Sequence, residues 1–323
     1  MAEASFPVTF SAFARSLRAH TAHLIETIGS KIHEGPLLTL TSSDGWRVRV
    51  LQALCAAGTI YICNKAARRI LQIQSAQKWN WKQEIVLITG GCSGIGEHMV
   101  RKFARRGVTV VVLDIAAPRT ALPANAHFYQ CDVTSPEAIR SCALRIRQDV
   151  GHPSILINNA GVGTAKTLLE ETDEEIQRTF NVNSVSHFWI VREFLPHMIQ
   201  QNHGHVVTIA SMASFVTIAS NVDYSCTKAA VLSFHEGLKQ ELRHRYDARN
   251  IETSIVHPSW VRTPLIEPLV KSGRWKEHTI EVDFVAEAIV AHILKGGAGK
   301  SSCQQAMPLH PSSGASQAGS KIA

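Results

Sequence analysis

The chain has no Cys-x-x-Cys pair, no His-Glu-x-x-His pattern, no internal repeat and no apolar run of the roughly 20 residues needed to cross a bilayer. Its seven cysteines are odd in number and irregularly spaced, which argues against a disulfide framework or a zinc ribbon and for a reducing, cytosol-facing compartment. The 16 histidines form no ladder with cysteine, so they read as packing or surface residues, and no metal site is expected. Residues 1–36 mix acidic, basic and histidine side chains without an apolar core ahead of a small-residue cleavage site. A secretory leader of ordinary form is therefore not expected.

Charge is sparse, at 18% of the 323 residues against 45% hydrophobic, so the chain can bury a sizeable core as one large α/β domain or two small ones. The net charge of +7 permits contact with anionic lipid, nucleotide or nucleic acid and requires none of them. One uncharged stretch stands out, Val50–Cys63, flanked by Arg47 and Arg49 before it and by Lys65, Arg68 and Arg69 after it. It is too short for a comfortable crossing and suits a helix lying in a membrane surface, with residues 47–69 as the contact; the competing reading is a helix buried against the main domain.

From residue 82 short apolar, β-branched runs alternate with helical periods, the βαβ signature. Strands are expected at 85–89, 108–113, 127–131, 154–158, 205–210 and 251–256, most of them continuous apolar runs as in parallel strands covered on both faces. Helices are expected near 94–106, 135–149, 173–200, 223–246 and 283–295, with starts marked by Ser135-Pro136-Glu137 and Thr172-Asp173-Glu174-Glu175. Right-handed crossovers then give an α/β, doubly wound, Rossmann-like parallel sheet. The organisation is a helical extension over 1–81, a nucleotide-binding domain over 82–295 and a low-complexity tail, read as unfolded, over 296–323.

The first strand runs into Thr89-Gly-Gly-Cys-Ser-Gly-Ile-Gly96, and a helical period follows at once. Backbone amides at such a helix start hold a pyrophosphate, and glycines at 90, 94 and 96 let it approach. Asp114 ends the second strand, placed to accept from ribose hydroxyls and to repel a 2′-phosphate, which favours NAD(H) and leaves NADP(H) as the alternative. The spacing differs from the common dinucleotide fingerprint, and here the chain resembles the short-chain dehydrogenase/reductase family over residues 82–295. The resemblance continues in order through Cys131-Asp-Val-Thr134, Asn158-Asn-Ala-Gly161, Asn181-Val-Asn183, Ser211 after the fifth strand, Tyr224-Ser-Cys-Thr-Lys228, and His257-Pro-Ser-Trp-Val-Arg-Thr263.

That resemblance implies a cofactor site of Gly90, Ser93, Gly94, Ile95, Gly96, Asp114, Asp132, Val133, Asn159, Ala160, Gly161, Tyr224, Lys228, Pro258, Val261 and Thr263. It implies catalysis by Asn183, Ser211, Tyr224 and Lys228, with Ser211 and Tyr224 touching the substrate. The chemistry is consistent: a free tyrosine has a pKa near 10, and Lys228, one helical turn on, favours the phenolate. A second Tyr-x-x-x-Lys, Tyr61 to Lys65, lacks the glycine loop before it and has Val48 where a serine would stand 13 residues upstream. It reads as an anchor at headgroup level. Asp223 is expected to cap the helix that carries Tyr224. Ser259 stands where the family usually has glycine after Pro258, so the loop there is expected to take its own path.

The extension, the apolar stretch and the motif details resemble the membrane-associated branch of retinol dehydrogenases and lipid-droplet 17β-hydroxysteroid dehydrogenases. This implies an NAD(P)-dependent enzyme interconverting a lipophilic alcohol with its ketone or aldehyde, at the cytosolic face of the endoplasmic reticulum or on lipid droplets. The alternative location is the cytoplasm. An apolar loop of Leu265, Ile266, Leu269, Val270 and Trp275 would receive the substrate. No nucleic-acid partner is implied, and a homodimer is open. After Gly299 no apolar run offers the family's usual seventh strand, which weakens the usual dimer and leaves a second reading, a catalytically silent nucleotide-binding scaffold at a membrane surface.

Overall fold

The computed structural model describes residues 45–74, 79–271 and 278–295. The expected tail and Trp275 lie outside these residues. Helix α1, Gly45–Gln74, is longer than the apolar stretch that announced it and carries that stretch along its middle, with Leu54, Ile60 and Ile62 exposed. No helix among the described residues is long and apolar enough to cross a membrane.

The main body is a six-stranded parallel sheet in the order β3-β2-β1-β4-β5-β6. Its strands are β1 Ile85–Thr89, β2 Thr109–Asp114, β3 Ala126–Gln130, β4 Ile155–Asn158, β5 Gly204–Ile209 and β6 Ile251–Val256. Each lies within one residue of its expected bounds, because fully buried parallel strands must be apolar throughout and their ends are marked by polar turns. Helices α2, Gly94–Arg105, and α8, Val282–Leu294, cover one face over Val86, Ile88, Val110, Val112 and Val207. On the other face α3, Pro136–Asp149, α5, Ser186–Gln201, and α6, Val222–His244, cover Leu87, Val111, Leu113, Leu156 and Val206. Alternate strand residues thus feed two separate cores, as the two-residue period of a strand requires. Packing on the first core begins at Trp79, which stacks on Trp81 with centroids 5.3 Å apart.

Two helix starts are built as the sequence indicates. Ser135 accepts from Ala138 N with Pro136 in the first turn, and Thr172 and Glu175 form a reciprocal capping box on α4, Asp173–Phe180. The long helix expected over 173–200 is instead three pieces: α4, a π-helical turn at Asn181–Val185, and α5. A π turn inserts one residue without breaking the helix, so apolar periodicity alone does not reveal it. A short helix α7, Glu267–Lys271, follows β6.

The order reverses between β1 and β4, where the crossovers leave to opposite faces and a crevice opens at the strand ends. The turn after β1 is closely fitted there. Gly90 and Gly94 adopt φ of +64° and +53°, and a Cβ on Gly96 would lie 2.1 Å from the Gly90 carbonyl oxygen. Gly96→Ala therefore has no room without moving backbone and is expected to cost about 1–3 kcal/mol, the usual range for overpacking. Denaturant unfolding of the variant against the parent chain measures it.

Candidate functional site

The crevice begins with the N-terminus of α2. Ser93, at the cap position, makes no side-chain bond to the first turn, so the leading N–H groups of the helix stay free for an acceptor arriving from the crevice. The neighbouring strand ends are pinned together: Thr89 Oγ1 accepts from Asn159 N and Ala160 N, each at 3.0 Å. Asn159 Nδ2 donates back to the Thr89 and Gly90 carbonyls at 2.9 and 3.1 Å. Gly90 fits because a Cβ there would sit 2.9 Å from Ala160 Cα.

Asp114, at the end of β2, takes Cys92 N on Oδ2 at 2.9 Å and Ala116 N on Oδ1 at 3.1 Å. The carboxylate is thereby fixed at the edge of the crevice, with lone pairs remaining for a second ligand on each oxygen. The Cys92 thiol also bonds to it; burial, then the Asp114 charge, push that thiol up to about 12. After β3, Asp132 Oδ1 accepts from Thr134 N and Oγ1 at 2.9 and 2.7 Å, a local turn that exposes Asp132 and leaves Val133 buried in the crevice wall. The helix start belongs to Ser135.

Tyr224 and Lys228 share one face of α6, with the Lys228 Nζ 5.4 Å from the Tyr224 ring centroid. Lys228 is 3% exposed, and its amine donates to the Ile209 carbonyl at the end of β5 at 3.0 Å. Burial lowers the Lys228 pKa to about 8. Part of the Tyr224 ring is accessible from the cavity, while enclosure of the phenol pushes its pKa up to about 12, opposed by a hydrogen bond with Ser211. Attraction between an ammonium and a phenolate at such a separation is worth about 3 kcal/mol at an effective dielectric of about 20, comparable to the burial penalty it has to offset. The Ser211 hydroxyl is oriented by a bond from Ala213 N at 3.1 Å.

Asn183 lies in the π turn, fully buried behind this group. Its Oδ1 accepts from Val162 N at 2.8 Å, and its Nδ2 donates to Val162 O at 2.9 Å and Thr227 Oγ1 at 3.2 Å. The side chain therefore ties the β4–α4 loop to α6, and the π turn is what aims it there.

Asp114, Asp132, Val133, Ser211, Tyr224 and Lys228 border one cavity of about 770 Å³, whereas Asn183 lies behind its wall and does not line it. Every residue expected to bind cofactor lines it except Gly96, whose part is to let the turn close. Pro258, Val261 and Thr263 line it from the loop after β6. Ser259 does not take a positive φ, so the Pro-Ser sequence is accommodated without left-handed strain. Beyond Tyr224 the lining turns apolar, with Met212, Val216, Ile218, Leu265 and Leu269. Free helix amides, a glycine cradle and a fixed carboxylate at one end suit a dinucleotide, and the apolar end suits a second, lipophilic molecule.

One expectation is corrected: α6 is preceded by Asn221, and Asp223 lies inside the first turn, 5% exposed. A helix that starts two residues earlier turns a capping side chain inward. Thr89, Cys92 and Thr227 stand inside the motifs quoted from the sequence, but their bracing role is not legible there, since which group a hydroxyl or thiol braces is set by the fold and not by spacing.

Comparison with known proteins identifies the family. The short chain dehydrogenase family profile matches residues 84–273. The fungal "Dehydrogenase RED2" of Cochliobolus heterostrophus is 45% identical over 184 residues, 56% of this chain and 69% of that one. Human 17-beta-hydroxysteroid dehydrogenase 13 is 39% identical over 219 residues, 65% of this chain and 72% of that one. Among solved structures, a 3-ketoacyl-(acyl-carrier-protein) reductase from Brucella melitensis complexed with NADH has a TM-score of 0.60 and 25% identity, covering 68% of this chain and 93% of that one. The chain belongs to the short-chain dehydrogenase family, in the branch of retinol and 17β-hydroxysteroid dehydrogenases, and is an NAD(P)-dependent alcohol dehydrogenase/reductase.

Proposed function

We propose that the chain interconverts a lipophilic alcohol of the retinoid, steroid or fatty-alcohol class with its ketone or aldehyde, using Tyr224 as general acid/base. The observation that carries this is the meeting of the Tyr224 phenol, the Ser211 hydroxyl and the buried Lys228 amine where a polar crevice becomes an apolar pocket. Ser211 holds the substrate oxygen, Tyr224 gives or takes its proton, and Lys228 favours the phenolate. A bound nicotinamide ring supplies the hydride acceptor or donor. Burial, opposed by the Ser211 bond, holds the phenol at about 12, so the positive charge of Lys228 has to act against it. Asp114 favours NAD(H), because its carboxylate faces the ribose position and repels a 2′-phosphate.

Membrane contact is part of the same reading. The uncharged middle of α1 lies between cationic residues, and Leu168, Leu169, Phe215 and Val216 are exposed large apolar side chains on the main body, with Val216 also lining the cavity. Such surfaces suit uptake of a substrate from lipid at the endoplasmic reticulum or a lipid droplet. Exposed Phe180 and Phe188 on α4 and α5 offer a face for a homodimer.

Purified protein is expected to oxidise a member of a retinoid, steroid and fatty-alcohol panel with NAD, and Tyr224→Phe to reduce kcat at least about 100-fold, the lower end for loss of a general acid/base. Unchanged turnover in that variant would remove Tyr224 from the role. Asp114→Ala should move the ratio of kcat/KM for NAD over NADP towards NADP; a constant ratio dissociates Asp114 from cofactor choice. Deletion of residues 1–74, which spares the Trp79–Trp81 stack, should abolish co-sedimentation with anionic phospholipid vesicles. Pelleting that persists would assign membrane contact to the body instead.

A further inference from the structure

The residue before Tyr224 and the last loop residue before the α4 cap are both acids, and they meet. Asp223 is buried in the first turn of α6, with no hydrogen-bond donor reaching its Oδ2. The Glu171 carboxyl comes within hydrogen-bonding reach of the Asp223 side chain and accepts from the Thr164 hydroxyl. Two ionised carboxylates so placed repel each other. A proton on Glu171 replaces that repulsion with a charge-assisted hydrogen bond and gives a buried oxygen its donor.

The surroundings favour that proton. Burial raises the Glu171 pKa most, and the charges of Asp223 and Glu175 raise it further, against the Thr164 bond. Glu175 faces the pair from α4 and is itself held by Lys166 at 2.6 Å, while Asp173 and Glu174 of the same turn are exposed. Among the described residues no ion pair reaches Glu171 or Asp223.

The contact joins the β4–α4 loop, residues 159–172, to the helix that carries Tyr224 and Lys228. Gly163 of this loop lies against the Tyr224 ring, with a position for Cβ 3.4 Å from Cδ2. Ala165, beside Thr164, lines the cavity in a left-handed conformation at φ +56°, which a residue with a Cβ adopts only where its neighbours hold it. The bond between Thr164 and Glu171 is one such hold.

We propose that a protonated Glu171 donates to the buried Asp223 carboxylate in the folded protein and that the two act as positioning residues, latching the β4–α4 loop against Tyr224 and shaping the substrate end of the cavity. The latch rests on the functional reading only for its effect on turnover; its existence does not depend on it. A carboxyl whose folded pKa is raised contributes stability below its unfolded pKa, near 4.5, and loses it as pH climbs through the folded value. The loop should therefore loosen as pH rises above the ordinary carboxylate range.

Glu171→Gln tests this, because the amide donates to Asp223 at every pH. Melting temperatures of both chains, taken without substrate from the ordinary carboxylate range to mildly alkaline pH, should diverge as pH rises, with the variant gaining about 2–4 °C. Asp223→Asn, which donates to Glu171 instead, should flatten the same dependence. Hydrogen-exchange protection of residues 162–170 should fall with pH in the parent chain and hold in Glu171→Gln. A difference in melting temperature that is constant across pH would overturn the protonated Glu171. Divergent melting with unchanged loop protection would overturn the latch. Neither readout uses turnover, so the result stands apart from that of Tyr224→Phe.

Discussion

A lysine amine buried at the wall of the cavity, donating to a backbone carbonyl, is the constraint around which the rest of this molecule is arranged. Burial has already drawn its pKa to about 8, so any further loss of partners would neutralise it. The Ile209 carbonyl that receives it is free because β5 ends there, and the helix bearing it is fixed at that height by the bond from Ser214 Oγ to the Lys228 carbonyl at 2.9 Å. Gly161 completes the enclosure, with the amine 3.8 Å from the place of a Cβ. Strand ends, loop and helix thus converge on one charge.

That convergence depends on the switch point of the sheet. Crossovers leave β1 and β4 to opposite faces, and above the last ladder pair the side chains of Thr89 and Asn159 bond across to Asn159, Ala160, Thr89 and Gly90 and hold the two strand ends in register. Side-chain bonding substitutes for backbone pairing where the crevice must stay open. The π turn solves a related problem: Asn183 has to reach across to the β4–α4 loop, and an extra residue in the helix turns it there while α5 keeps its apolar face on the sheet.

Much of this was legible beforehand. Parallel strands such as Val110–Leu113 are apolar on both faces and announce themselves, and Ser135-Pro136 and Thr172 with Glu175 mark helix starts by chemistry that is local in sequence. Tyr224, Lys228, Ser211 and the glycine turn could be picked out because their order and spacing are regular, and the structure brings them to one cavity. The π turn, the inward rotation of Asp223 and its meeting with Glu171 were not legible. Each depends on a phase of one or two residues in a helix, or on a pair 52 positions apart, and neither leaves a trace in composition or period. The uncharged stretch of α1 indicated a helix but not its length, since the polar turns on either side are equally helical.

The bond between Cys92 and Asp114 has a consequence for chemical intervention. Cys92 braces the mouth of the glycine turn, and Cys131 lines the cavity nearby; burial is the first cause that puts both thiols at about 12. At neutral pH neither offers a thiolate, so an electrophilic compound entering the crevice finds no soft nucleophile to capture it. A thiol-directed inhibitor would therefore gain little from either cysteine at the cofactor end of the cavity.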